Sequence, residues 1–113
     1  MTDEKINTEL LKFIQNTENY WIKISEAKSK AANKIDLSSR KLVDSWEKEG
    51  ILEYTLRPLL DHISNAVKLA AASALLRTNS KEDAILVLRN LIKHDPALIS
   101  PSAAAVLRFN QIT

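Results

Sequence analysis

The 113-residue chain has no cysteine, one glycine and three prolines, and aromatic residues make up 5% of it. Without cysteine there is no disulfide framework, no thiolate nucleophile and no zinc–thiolate site. A β-sandwich or an α/β fold needs many tight turns and Gly-rich loops, so a single glycine argues against both. The same scarcity removes a Gly-x-Ser-x-Gly nucleophile elbow and a phosphate-cradling loop. No long apolar run is present: the longest, Leu69 to Leu76, is Ala-rich and falls short of the ~20 residues that span a bilayer. Charge of one sign is also scarce. Lys and Arg total 16 against 14 Asp and Glu, a net +2, far from the strongly basic surface of a dedicated nucleic-acid binder. The first residues, Met1-Thr2-Asp3-Glu4-Lys5, are polar and lead into no apolar h-region, so a soluble cytoplasmic protein is expected.

What the chain does have is enough apolar content to build a core, 45% of residues with 27% charged, and a length suited to one domain over residues 1–113. Residues Ile6, Leu10, Phe13, Thr17, Tyr20, Ile24, Ala27 and Ala31 recur in steps of three and four, the spacing of one helix face. Either one helix runs through residues 4–31 or two helices meet near Ser25–Ser29, and compactness favours the break. A second stripe follows at Ala31, Ile35, Ser39, Leu42 and Trp46, flanked by Ala32 and Val43. Gly50, after Glu47-Lys48-Glu49, reads as the left-handed residue just past the end of a helix over about 28–48.

Beyond Gly50, Pro58 falls inside a helical pattern and should kink it or begin a new turn. Ile63-Ser64-Asn65 supplies a break with cap residues, and Ala66 to Arg77 forms an Ala-rich helix. Ser80 is placed to cap a helix running to about His94, with Asp83 at its third position, and Asp95-Pro96 ends it. Ser100-Pro101 reads as the cap and first residue of a last helix reaching about Phe109.

An internal repeat links these segments. Leu56-Arg57-Pro58-Leu59-Leu60-Asp61-His62 matches Leu88-Arg89-Asn90-Leu91-Ile92-Lys93-His94 at an offset of 32. Ala71-Ala72-Ser73-Ala74-Leu75-Leu76-Arg77 matches Ser102-Ala103-Ala104-Ala105-Val106-Leu107-Arg108 at an offset of 31. Two-helix repeats of this length are the mark of an α-solenoid. The fold expected is therefore all-α, a short solenoid of about five to six helices.

The run Leu56-x-Pro58-Leu59-Leu60-Asp61, followed by Val67-Lys68, Ala71 and Leu75, resembles a HEAT repeat. Residues 31–109 further resemble a small bacterial family of HEAT-like (armadillo-like) domains of unknown function. The elements are Ala32-Asn33-Lys34, Glu47-x-Glu49-Gly50, Leu59-Leu60-Asp61-His62, Val67-x-Leu69-x-Ala71 and the closing Ser102-Ala103 helix. The resemblance implies HEAT-like hairpins in the C-terminal half, with Asp61 and Lys68 hydrogen-bonded across the turn. It supplies no catalytic residues.

The chain carries no cluster suited to catalysis. His62 and His94 occupy equivalent repeat positions near helix C-termini, where an imidazole serves the exposed carbonyls. No cofactor or metal site is expected. Surface charge is more informative. Lys30, Lys34, Lys41 and Lys48 fall within about 40° of one another on a helix, with Leu37 on the same line and Asp44 interrupting it. Around Gly50, Asp44, Glu47, Glu49, Glu53 and Asp61 form an acidic excess over Lys48 and Arg57. Trp46 sits on the apolar stripe and belongs to the core, whereas Trp21 lies one residue off its stripe and is a candidate contact aromatic. These features favour a non-enzymatic protein-binding module. The specific expectation is an immunity protein that neutralises a cognate bacterial toxin, such as a nuclease of a contact-dependent inhibition system, through Asp44, Glu47, Glu49 and Glu53. The alternative is a HEAT-like nucleic-acid binder using Lys30, Lys34, Lys41 and Lys48.

Overall fold

A computed structural model describes residues 3–95 and 99–112. Among the described residues the chain is helical, with no strand. Six α-helices run α1 Asp3–Ser25, α2 Ser29–Lys48, α3 Leu52–Leu56, α4 Asn65–Leu75, α5 Lys81–His94 and α6 Ile99–Phe109, with a 3-10 helix over Arg57–Asp61. They divide into two compact units, residues 1–55 and 56–113.

In the first unit α1 packs along α2. Asn16 Nδ2 donates to Ser38 Oγ at 3.1 Å and Trp46 Nε1 to Glu9 Oε1 at 3.3 Å. As α2 advances from Ser38 to Trp46, α1 runs back from Asn16 to Glu9, so the pair is antiparallel. The apolar stripes meet between them: Ile6, Phe13 and Thr17 of α1 and Ala32, Val43 and Trp46 of α2 are buried. Trp46 is fully enclosed, with its ring centroid 5.6 Å from that of Phe13. The core of α2 therefore lies on the Ala32/Val43 side of the expected stripe, and Ile35 and Leu42 are only half-buried. Thr17 fits this apolar face because its hydroxyl donates to the Phe13 carbonyl one turn back, at 2.9 Å.

Both ends of this hairpin close in the same way. At Gly50, φ is +74°, its N–H reaches the Glu47 carbonyl and the Ile51 N–H reaches Trp46. At Ala27, φ is +59°, its N–H reaches Ile24 and the Lys28 N–H reaches Lys23. Each pair of bonds is a Schellman motif, which satisfies the last carbonyls of a helix and stops it. The helix break foreseen near Ser25–Ser29 is there, made by an alanine in the left-handed conformation. A Cβ at that φ crowds the carbonyl that follows, at a cost of about 1–2 kcal/mol. Ala27→Gly should therefore raise stability by about 0.5–1 kcal/mol in urea unfolding, after the added freedom of the unfolded glycine is subtracted. Gly50→Ala should lower it by a similar amount. Nothing lies within 4 Å of a Cβ built there, so the loss would come from the backbone alone.

In the second unit α5 packs against both α4 and α6, α4 against the 3-10 helix, and α4 also reaches α6. Pro58 ends the α-helical run. Lacking an N–H and clashing with the carbonyl four residues back, it starts the tighter 3-10 turn over Arg57–Asp61. Ser64 caps α4, its hydroxyl accepting from the Val67 N–H at 3.4 Å, and α4 ends at Leu75, short of Arg77. Ser80 precedes α5 as foreseen, but its side chain makes no capping bond. The hydroxyl instead accepts from Arg57 Nη1 at 2.7 Å. Ser100 and Pro101 lie inside the first turn of α6, and Ser100 Oγ donates back to the Ile92 carbonyl at 3.0 Å. Pro96, expected to end the preceding helix, lies outside the described residues.

The internal repeat survives in part in burial and fails in backbone. Leu56 and Leu88 are both buried, as are Leu59 and Leu91, Ala72 and Ala103, and Leu76 and Leu107. Ala74 and Leu75 are buried where Ala105 is exposed and Val106 half-buried. Yet residues 57–61 are 3-10 while the matching 89–93 remain α-helical, because Asn90 stands where the first copy has Pro58.

Candidate functional site

The surface residues singled out by charge lie mostly on the first unit, and α2 carries most of them. A helix locked to its neighbour through Trp46 holds its outer side chains in a defined angular order. Lys30, Lys34, Lys41 and Lys48 are all exposed, opposite the buried Ala32, Val43 and Trp46. None of the four has an ion-pair partner. Leu37, on the same line, is 53% exposed. Three other cations of this unit are engaged, Lys12 not among them: Arg40 Nε lies 2.9 Å from Asp36 Oδ2, and Lys23 and Lys28 each lie 3.5 Å from Glu26 Oε1.

The acidic set is less unified. Asp44 is exposed but belongs to the lysine line, about 60° around the helix from Glu47. Glu47 is exposed in the last turn of α2, and Glu49 is exposed as its C-cap residue. Glu53 lies in the first turn of α3 and is half-buried. Glu47 and Glu53 each have an intramolecular partner. The carboxylates of Glu47 and Glu49 stand beside the carbonyl end of α2, where the helix dipole adds partial charge of the same sign. Asp61 is exposed on the second unit.

No family model, curated protein or solved structure matches the chain. Geometry therefore carries the functional reading alone. Among the described residues no group of three or more His, Asp or Glu is placed to hold a metal ion, and no helix is long and apolar enough to cross a membrane. His62 ends the 3-10 helix, and its Nδ1 accepts the Ser64 N–H at 3.0 Å, which builds the turn into α4. His94 is exposed at the end of α5. Trp21 is half-buried, its ring edge-on to Tyr20 with centroids 5.4 Å apart, so each aromatic fixes the other's orientation.

Asp61 and Lys68 do not pair, contrary to what the HEAT resemblance implies. Other polar links tie elements of the second unit together. Arg57 forks onto Ser80 Oγ and Asp83 Oδ2, each at 2.7 Å, tying the 3-10 helix to the start of α5. Asn65 Nδ2 donates to Asp95 Oδ2 at 2.9 Å, tying the start of α4 to the end of α5. The partners lie 26 and 30 residues apart, so no local pattern marks them. The nearest signal was Asp83 at the third position of α5, where a carboxylate suits the helix N-terminus whatever else it binds.

Proposed function

We propose that the protein is a non-enzymatic binding module for a basic protein partner, and specifically an immunity protein that neutralises a cognate bacterial toxin in the cytoplasm. The observation that carries this reading is the acidic end of α2. Glu47 and Glu49 are exposed there on either side of Lys48, with Asp44 one turn back and Glu53 in the first turn of α3. Like charge gathered on a firmly packed hairpin end steers a positively charged partner and suppresses wrong ones. The C-terminal unit is read as a pair of HEAT-like hairpins. The repeated burial of Leu56/Leu88, Leu59/Leu91, Ala72/Ala103 and Leu76/Leu107 supports that reading, as does the Asn65–Asp95 link between successive turns.

The test is kinetic. The partner is obtained by co-purification, with the product of a neighbouring toxin gene as the first choice. The variant combining Asp44→Lys, Glu47→Lys and Glu49→Lys should associate about 10-fold or more slowly at low salt, with an unchanged circular dichroism spectrum. Dissociation should change less. Full protection of cells by the triple variant, with an unaltered association rate, would remove the acidic end from the interface.

A further inference from the structure

The lysine line of α2 is a second surface of opposite sign, sharing only Asp44 with the residues that carry the immunity reading. From Lys30 to Lys48 it runs along one continuous helix, a rise of about 27 Å. Among the described residues its four lysines are exposed and without an ion pair, as is Lys12 on α1, while Arg40, Lys23 and Lys28 are held by Asp36 and Glu26. Asp44 stands three residues from Lys41 and four from Lys48, spacings at which helical ion pairs form, yet it pairs with neither. The charges are thus available to an outside anion rather than neutralised along the helix.

The composition of the line selects the kind of anion. Leu37 is its one exposed apolar residue, and no aromatic lies on it, since Trp46 is fully enclosed on the opposite face. A protein partner needs a buried aromatic or aliphatic cluster to anchor it, and this face has none to offer. Binding single strands calls for aromatic platforms on which bases stack, and these too are missing. Lysine is a compact point charge that engages phosphate without a required plane. A straight row of such charges meets the regularly spaced phosphates of a duplex and reads no bases. We propose that Lys30, Lys34, Lys41 and Lys48 form a docking face for the phosphate backbone of double-stranded nucleic acid, bound without sequence preference.

The experiment is a fluorescence-anisotropy titration of the full chain against a labelled DNA duplex of roughly 20 bp, from about 20 to 200 mM salt. Binding is expected at the lowest salt, with a log K against log salt slope of about −3 to −4, the value for four neutralised phosphates. Lys34→Glu with Lys41→Glu should weaken binding by about 10-fold or more and flatten the slope by about two units. Asp44→Asn should tighten it, because a like charge leaves the row. The charge-matched double variant Lys81→Glu with Lys93→Glu, on α5, should retain most of the affinity. No binding at about 20 mM salt would overturn the proposal, as would equal losses in the two double variants. Binding of poly-glutamate in place of the duplex would overturn it in favour of an acidic protein. Apart from Asp44→Asn, which touches both surfaces, none of these variants alters the acidic end, so the lysine double variant and the acidic triple variant let this proposal and the immunity reading fail separately.

Discussion

Trp46→Ala is expected to lower the stability of the α1–α2 hairpin by about 3–5 kcal/mol, the largest effect of any single change in this unit. Trp46 is the largest fully buried side chain in the protein. Removing it leaves a cavity bordered by Phe13, whose ring it meets at 5.6 Å, and strips Glu9 of its indole donor. A two-helix hairpin has few other large side chains with which to refill that space, so collapse around the hole should recover little. Urea unfolding followed by circular dichroism measures the loss. Trp46→Phe separates the contributions: it keeps an aromatic ring against Phe13 and removes the N–H, and should cost about 1–2 kcal/mol. A loss under about 1 kcal/mol for Trp46→Ala would mean that this ring is not what joins the two helices.

Leu88→Ala should cost about 2–5 kcal/mol for the same reason in the second unit. Leu88 is fully buried on α5, the helix that packs against both α4 and α6. Leu86, two residues away on the same helix, is 63% exposed and serves as the control. Leu86→Ala should change stability by no more than about 0.5 kcal/mol, since neither transfer nor cavity costs apply at the surface. Equal effects at the two positions would contradict the burial that distinguishes them.

Much of the helical architecture is readable along the chain because helix faces repeat at a short period. Ile6, Phe13 and Thr17 announce one buried face, and Ala32, Val43 and Trp46 flank or belong to the other. Gly50 marks its helix end because a missing Cβ is a local property. The stop at Ala27 has the same geometry without that signal, and so does the one at Gln111, where φ is +59°. Residues with a Cβ take such positions only when the flanking chain holds them there, so they leave no mark in composition.

The repeat shows where such reading ends. Leu56 and Leu88 head matching segments and are equally buried, but one segment is 3-10 and the other α-helical. Similar letters encoded a similar core face, and one proline changed the backbone beneath it. Ser80 went the same way. As a serine before a helix it suits a cap, and Arg57, 23 residues earlier, takes its hydroxyl instead. The lysine line was legible as an angle on a helix, whereas the lack of partners for its charges was not.

What the sequence determined by itself is the class of fold and the chemistry available to it. One glycine and no cysteine left a helical chain without disulfides, thiolates or Gly-rich loops. Period and caps placed most of the helices. Only the tertiary structure decided which polar groups pair: Arg57 with Ser80 and Asp83, Asn65 with Asp95, and not Asp61 with Lys68. It also decided that Asp44, placed among the lysines by helical angle alone, pairs with neither Lys41 nor Lys48. Pairing depends on side chains brought together from distant points of the chain, and hydrophobic spacing along a helix carries no record of them.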